Sequence, residues 1–128
     1  PICASKEASD ENYDAAVAYM MEHLDRMSIF AGTHNELSTF KLMELMEKKG
    51  VKSNDNRIWF GQLYGMSDNI SYNLAENGFN VAKYLPFGPV KDVMPYLIRR
   101  AEENTSVAGQ TSRELSMIKA ERKRRKEK

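Results

Sequence analysis

Short apolar runs alternate with helix-like patterns along this chain, and the alternation constrains the fold more than any other feature. Three runs indicate strands that begin near residues 28, 58 and 81, so successive strands start 30 and 23 residues apart. That spacing is typical of βα units, in which a helix joins each strand to the next parallel strand. The sequence therefore predicts an α/β fold with a parallel sheet.

Helices are predicted around these strands from capping residues and apolar spacing. The predicted ranges are 10–26, from Thr33 or Asn35 to Lys48, 68–77 after Ser67, and 89–103. The second helix has a broad apolar face, made of Leu37, Phe40, Leu42, Met43, Leu45 and Met46. With Ile2–Ala4 taken as the end of an earlier strand, the chain holds about three and a half βα units.

Two parallel architectures fit this pattern. One is a small doubly wound sheet, and the other is a piece of a (β/α)₈ barrel, which usually needs about 250 residues. The length of 128 residues by itself favours the open sheet. In either architecture ligands bind beyond the carboxyl ends of the strands, where this sequence carries Ser5-Lys6, Thr33-His34-Asn35, Leu63-Tyr64-Gly65 and Tyr84.

Several classes of site are excluded or disfavoured. The single cysteine, Cys3, rules out an internal disulfide and a multi-cysteine zinc site, and no run approaches the roughly 20 apolar residues of a membrane helix. The phosphate-binding patterns GxGxxG and GxxxxGK[ST] are both missing. His34 and the mid-helix His23 lack the spacing of a zinc enzyme, so no metal site is predicted, and His34 has a purely structural role as its alternative.

The end of the chain is strongly basic. Residues 113–128 contain eight Lys or Arg against three Glu, a net charge of +5, whereas the whole chain carries only +1. No aromatic residue is interleaved with these cations to stack on bases. We expect residues 110–128 to form a solvated tail, partly disordered or helical, and residues 1–109 to form the folded segment.

The last predicted helix could present a phenol, two guanidinium groups and a carboxylate along one side. Tyr96 lies one turn before Arg99 and Arg100, and Arg100 and Glu103 are three residues apart. Adjacent arginines suit bidentate recognition of a carboxylate or a phosphate. A solvated Arg/Glu helix face is the alternative, and spacing alone does not decide between them.

Four motifs in register closely resemble the C-terminal part of the proline dehydrogenase family. They are Thr33-His34-Asn35, the run from Phe60 to Met66, the run from Lys83 to Val90, and the run from Tyr96 to Asn104. The resemblance spans roughly residues 1–107 and implies a distorted (β/α)₈ barrel that holds FAD and oxidises L-proline to Δ1-pyrroline-5-carboxylate. This chain would supply the end of the fifth strand through the eighth strand and the final helix, and would be an incomplete barrel.

The resemblance also implies which residues bind substrate. Arg99 and Arg100 match the family pair that clamps the proline carboxylate, Tyr84 and Tyr96 match tyrosines that line the pocket, and Leu63 matches an apolar wall residue. The family's active-site lysine and aspartate lie on earlier strands, so no catalytic residue is assigned to this chain.

Flavin contacts follow from the same motifs. Thr33, His34 and Asn35 match the flavin-contacting loop, Glu103 matches an acidic partner on the flavin and arginine side, and Lys6 matches a flavin-contacting lysine.

The partners implied are L-proline and a quinone or other electron acceptor, with peripheral contact to a membrane and no nucleic acid. The location implied is mitochondrial in a eukaryote, and cytoplasmic or peripheral to the inner membrane in a bacterium. An alternative from another class is a stand-alone α/β interaction module whose basic tail binds an acidic partner, a membrane surface or nucleic acid.

Overall fold

The computed structural model of the chain describes residues 3–106 and 108–126, apart from the side chains of 103–106, 108–114 and 121. Helices and strands alternate from the start. The elements are α1 (Lys6–Glu22), β1 (Ile29–Gly32), α2 (Glu36–Lys48), β2 (Ile58–Leu63), α3 (Asp68–Glu76), β3 (Val81–Tyr84), α4 (Val90–Ser106) and α5 (Ala108–Lys126). The first six elements form one compact unit, and α4 and α5 belong to a second.

A parallel sheet in the order β1-β2-β3 organises the first unit, as the strand spacing predicts. Ile29 pairs with Ile58 and Ala31 with Phe60, while Phe60 pairs with Val81 on the other side. Each connection runs through a helix because parallel neighbours require a crossover.

One face of the sheet carries the core. Side chains from the first three helices and from alternate strand positions are buried together: Val17, Met21, Leu24, Ile29, Ala31, Leu42, Met46, Ile58, Phe60, Ile70 and Leu74. The other strand positions point to the opposite face, where Phe30, Trp59 and Tyr84 are exposed. The hydrophobic core of this unit therefore lies on the helix side of the sheet.

The start of the chain differs from its prediction. The first helix begins at Lys6 rather than at residue 10, because Ser5 caps it by accepting a hydrogen bond from the backbone N–H of Ala8. Cys3 and Ala4 are not in a strand, so the predicted strand end at 2–4 is wrong for them, and Ile2 lies outside the described residues.

The apolar face of α2 is also partly wrong. Leu42 and Met46 are buried as predicted, but Leu37 is 77% exposed and Phe40 is also exposed. The small side chains Ser38 and Thr39 are buried instead. The part of the helix surface that faces the core is therefore narrower than the part that its apolar residues cover.

The ends of the elements largely follow the sequence signals. Asn35 caps α2 and Gly50 follows it with a φ of 63°, while Gly78 follows α3 with a φ of 78°. Helix α4 begins at Val90, just after Pro89, and continues past Glu103 to Ser106. Residues 108–126 form the helix α5.

Candidate functional site at the carboxyl edge of the sheet

Leu63 and Tyr84 are brought together by the sheet. They are partners in the register of β2 and β3, at the carboxyl end of both strands, so their side chains emerge on the same face. That face is the open one, and Tyr84 is 55% exposed there while Leu63 is half-buried. Two of the residues predicted to line a substrate pocket are therefore neighbours on an accessible surface.

The loop after β1 is fixed to the same edge by backbone and side-chain bonds. The Thr33 N–H donates to the carbonyl of Gly61 on β2 at 3.2 Å. The Thr33 hydroxyl accepts from the Asn35 N–H at 3.0 Å, and the Asn35 side-chain oxygen accepts from the Leu37 N–H at 2.9 Å. Thr33 and Asn35 thus use side-chain oxygens to shape the loop and to start α2, which sets the position of His34 between them.

His34 is joined to the next loop of the edge. Its Nδ1 lies 2.8 Å from the hydroxyl oxygen of Ser67, the residue immediately before α3. Ser67 is almost fully buried and has a left-handed backbone, with φ 50° and ψ 42°. Ser67 occupies the predicted capping position, but its side chain makes no capping bond to α3, contrary to the usual role of serine there.

Two polar links at this edge were missed by sequence reasoning. Lys83 on β3 donates to the carbonyl oxygen of Met66 at 2.6 Å and pairs with Asp68 at 2.8 Å, which ties β3 to the loop after β2. Gln62, buried on the helix side of β2, accepts from the hydroxyl of Ser71. The period-two alternation from Ile58 and Phe60 was the signal that could have identified Gln62 as a buried polar side chain.

Lys6 lies at the first turn of α1 with an exposed side chain. Its ammonium group pairs with Asp10 one turn later, at 2.5 Å. The hydrogen bond to that carboxylate raises the pKa of Lys6 above its ordinary value, so the side chain is a cation at neutral pH. Its contact with a flavin stays a prediction.

The four remaining site residues, Tyr96, Arg99, Arg100 and Glu103, lie on α4, in the second unit. The guanidinium carbon of Arg100 lies 5.3 Å from the centre of the Tyr96 ring, which is cation–π distance, and both side chains are half-buried. Arg99 is exposed. The backbone of Glu103 belongs to α4, but its side chain lies outside the described residues, so its predicted pairing with Arg100 remains a prediction.

Among the described residues, no group of three or more His, Cys, Asp or Glu side chains is arranged to hold a metal ion. Within the same ranges, no helix has the length and apolar character needed to cross a membrane.

A parallel sheet with helices over one face and polar side chains at its carboxyl edge defines the class of βα enzyme folds that bind ligands at that edge. The comparisons narrow this class. The family model described as proline dehydrogenase matches residues 1–113. The chain therefore belongs to the proline dehydrogenase family, as its four motifs predict.

Two curated relatives show the extent of the similarity. The chain is 42% identical to the carbapenem antibiotics biosynthesis protein CarD of Pectobacterium carotovorum subsp. carotovorum, covering 95% of this chain and 31% of CarD. It is 39% identical to the mitochondrial proline dehydrogenase 1 of Homo sapiens, over 98% of this chain and 21% of that protein. The chain thus spans about a fifth to a third of these two curated relatives.

A solved structure extends the likeness to three dimensions. The crystal structure of proline utilization A (PutA) from Bdellovibrio bacteriovorus inactivated by N-propargylglycine matches with a TM-score of 0.76 and 29% identity. The match covers 86% of this chain and 11% of that protein.

Proposed function

We propose that this chain is part of an FAD-dependent proline dehydrogenase, in which β1 to β3 are late strands of a (β/α)₈ barrel. The enzyme oxidises L-proline to Δ1-pyrroline-5-carboxylate. The observation that carries the proposal is the pairing of Leu63 with Tyr84 on the open face of the sheet, beside the loop that holds His34. An open face suits the inside of a barrel, where the helices cover only the outside.

Arg99 and Arg100 bind the carboxylate of proline in this proposal. Guanidinium groups match a carboxylate in geometry and stay charged at every relevant pH. The contact of Tyr96 with Arg100 supports a positioning role for the tyrosine ring, because a guanidinium group held against an aromatic face has fewer conformations to lose on binding.

Leu63 and Tyr84 cover the pyrrolidine ring and exclude water. The two side chains form one continuous surface because they are register partners on adjacent strands. Such a wall suits the apolar ring of a small amino acid, whereas the arginine pair suits a free carboxylate.

The residues at this edge fit a flavin, since exposed apolar side chains adjoin a loop with a fixed imidazole. When bound, FAD supplies the oxidant that takes a hydride from C5 of proline. Thr33, His34 and Asn35 hold the flavin through their loop, with Lys6 and Glu103 as charged partners. A quinone or another acceptor then receives the electrons. We infer the location to be mitochondrial in a eukaryote, and cytoplasmic or peripheral to the inner membrane in a bacterium.

Substitution of the arginine pair tests the proposal in the full-length enzyme that contains this chain. Arg99→Met or Arg100→Met leaves the substrate carboxylate poorly paired, which costs about 2–5 kcal/mol in a desolvated site, so the KM for proline rises sharply while flavin is retained. Arg26→Met is the matched control, because the side chain of Arg26 is 78% exposed and pairs only with the adjacent Asp25 among the ion pairs described. Unchanged proline kinetics in both Arg99→Met and Arg100→Met would refute the clamp.

The 128-residue chain by itself provides a second test. We expect it neither to retain FAD tightly nor to turn over proline, because the proposed site needs groups from the rest of the barrel. The measurement is the visible absorbance of the purified chain after incubation with FAD and gel filtration. A stoichiometric yellow complex would contradict this part of the proposal.

A further inference from the structure

A hydroxyl group and an imidazole ring join two neighbouring loops at the carboxyl edge. His34 belongs to the loop between β1 and α2, and Ser67 belongs to the loop between β2 and α3. The Ser67 hydroxyl oxygen lies 2.8 Å from Nδ1 of His34, at the optimal distance for a hydrogen bond. The two residues are 33 positions apart in the sequence, so the contact depends on the folded sheet.

Ser67 reaches His34 from an unusual backbone conformation. Its φ of 50° lies in the left-handed region, and among the described residues it is the one non-glycine with a positive φ. The left-handed region disfavours residues with a Cβ atom. The serine also stands at the cap position of α3 without using its side chain as a cap. Neither local backbone preference nor helix capping accounts for a serine here.

Burial gives the contact its strength. Ser67 is 3% exposed and His34 is half-buried, so water competes little for the hydrogen bond. Each nitrogen of a neutral imidazole is either a donor or an acceptor, and a bond at one nitrogen therefore determines the role of the other. A donor hydroxyl at Nδ1 leaves the proton on Nε2.

We propose that Ser67 is a positioning residue for His34, donating its hydroxyl proton to Nδ1 and thereby fixing both the ring orientation and the Nε2–H tautomer. The consequence for the enzyme rests on the proposed function, in which the His34 loop contacts FAD. There, Nε2 presents a neutral N–H donor, which suits the oxygen-rich parts of a flavin. Ser67 acts through His34 and itself needs no contact with the cofactor.

The tautomer of His34 is the direct test, and it needs no flavin. The full 128-residue chain contains only two histidines, so long-range ¹H–¹⁵N spectra of the ¹⁵N-histidine-labelled chain resolve each ring, with His23 as an internal reference. The spectra are recorded at about pH 8.5, in the alkaline range where the tautomers of neutral imidazole rings are compared. We expect a single Nε2–H tautomer for His34.

Ser67→Gly is the informative variant. Glycine removes the hydroxyl and adopts the left-handed backbone without strain, so the loop keeps its shape. We expect the two ring nitrogens of His34 to move toward tautomer-averaged shifts while those of His23 stay unchanged and thermal stability does not fall. Ser67→Ala is less useful because its Cβ retains the backbone strain.

Ser71→Ala is the matched control. Ser71 also carries a buried hydroxyl, one turn later in α3, but that hydroxyl bonds the side chain of Gln62 and the backbone carbonyl of Ser67 rather than His34. We expect this variant to lose stability while His34 keeps its tautomer. A general loosening of α3 would instead shift His34 in both variants and would overturn the proposal.

Two further results would overturn it: unchanged His34 shifts in Ser67→Gly, and an Nδ1–H or averaged tautomer in the unsubstituted chain. Neither result depends on FAD or proline, so failure here is distinguishable from failure of the proposed function. In the full-length enzyme, Ser67→Gly is expected to weaken FAD retention severalfold with little change in the KM for proline. Substitution of Arg99 or Arg100 is expected to raise the KM for proline while FAD is retained.

Discussion

The buried pair formed by Gln62 and Ser71 yields the sharpest stability prediction. Both residues are 3% exposed, and the Ser71 hydroxyl donates to the side-chain oxygen of Gln62 at 2.9 Å. The amide nitrogen of Gln62 faces the carbonyl oxygen of Thr33 at 3.4 Å. That carbonyl can accept only from the nitrogen, which fixes the orientation of the amide and leaves its oxygen dependent on Ser71.

Ser71→Ala removes the partner of a buried acceptor. An unsatisfied buried polar atom costs about 1–3 kcal/mol. The substitution lies inside α3, where alanine is a better helix former than serine by about 0.5 kcal/mol, and this gain offsets part of the loss. We therefore expect a net loss of about 1–2 kcal/mol in the free energy of unfolding.

A double-mutant cycle separates the hydrogen bond from other effects. In Gln62→Met the Ser71 hydroxyl still has an acceptor, the carbonyl oxygen of Ser67 at 3.1 Å. We therefore expect this single variant to lose less of the free energy of unfolding than Ser71→Ala. The double variant contains neither polar group, and we expect it to recover about 1 kcal/mol relative to the sum of the single losses.

Urea titration followed by tryptophan fluorescence measures all four proteins. The chain has one tryptophan, Trp59, which lies on β2 with Gln62 and reports on that strand. Linear extrapolation gives each free energy of unfolding. A Ser71→Ala variant as stable as the unsubstituted chain, or strictly additive losses in the double variant, would refute the reasoning.

Two further predictions concern acid stability and the open face of the sheet. Hydrogen bonds from the side chain of Arg57, and then from its backbone N–H, lower the pKa of Asp55 to about 2. Because the pKa of Asp in an unfolded chain is about 4, the ionised carboxylate stabilises the folded state. This stabilisation is complete above about pH 4 and is lost as the pH falls to about 2. Asp55→Asn should therefore lower the melting temperature most near neutral pH. The difference in melting temperature from the unsubstituted chain should shrink between about pH 4 and 2. A difference that stays constant over this range would contradict the assigned bonds. The second experiment compares two glycines on the open face of the sheet. Gly61→Ala would put a Cβ 2.3 Å from the Phe30 ring, whereas the space around Gly32 is open, so Gly32→Ala is the control. In urea titrations we expect the free energy of unfolding of Gly61→Ala to be about 1 kcal/mol lower than that of Gly32→Ala. Equal stability of these two variants would show that the ring moves aside without cost.

The order of strands and helices could be predicted because local signals specify it. Strands begin within a residue of the predicted starts, and α2 is capped by Asn35, one of its two predicted first residues. The orientation of α2 could not be predicted, because its apolar residues cover more of the helix circumference than the sheet can bury. Leu37 and Phe40 lie on the part that faces away from the core.

The candidate site was predictable only in its location. Strand ends indicate an edge, and the motif at Thr33, His34 and Asn35 identifies one loop of that edge. The hydrogen bond between Ser67 and His34 could not be predicted, since it joins residues 33 apart and involves a left-handed serine. Sequence signals of helix capping predicted the wrong role for that serine, because its hydroxyl bonds another loop instead of α3.

The open face of the sheet links the fold to the proposed chemistry. Apart from Gln62, the residues on both faces of β1 and β2 are apolar, as in strands that are buried on both sides. Phe30 and Trp59 are nevertheless exposed, and they are partners in the register. The next level on this face contains only Gly32, Gly61 and Ala82, and the Phe30 ring reaches over Gly61 into the space they leave.

Leu63 and Tyr84 form the level above, at the carboxyl ends of the strands. Side-chain size on this face therefore changes from large to small to large along the strands, with the Phe30 ring over the small level, and the uppermost level is the pair proposed to cover proline. Packing within a barrel interior depends on such alternation of side-chain size between layers. Phe30, Trp59 and Tyr84 leave apolar surface exposed on this face. A flat ligand bound next to Tyr84, as proposed for the flavin, would bury part of that surface.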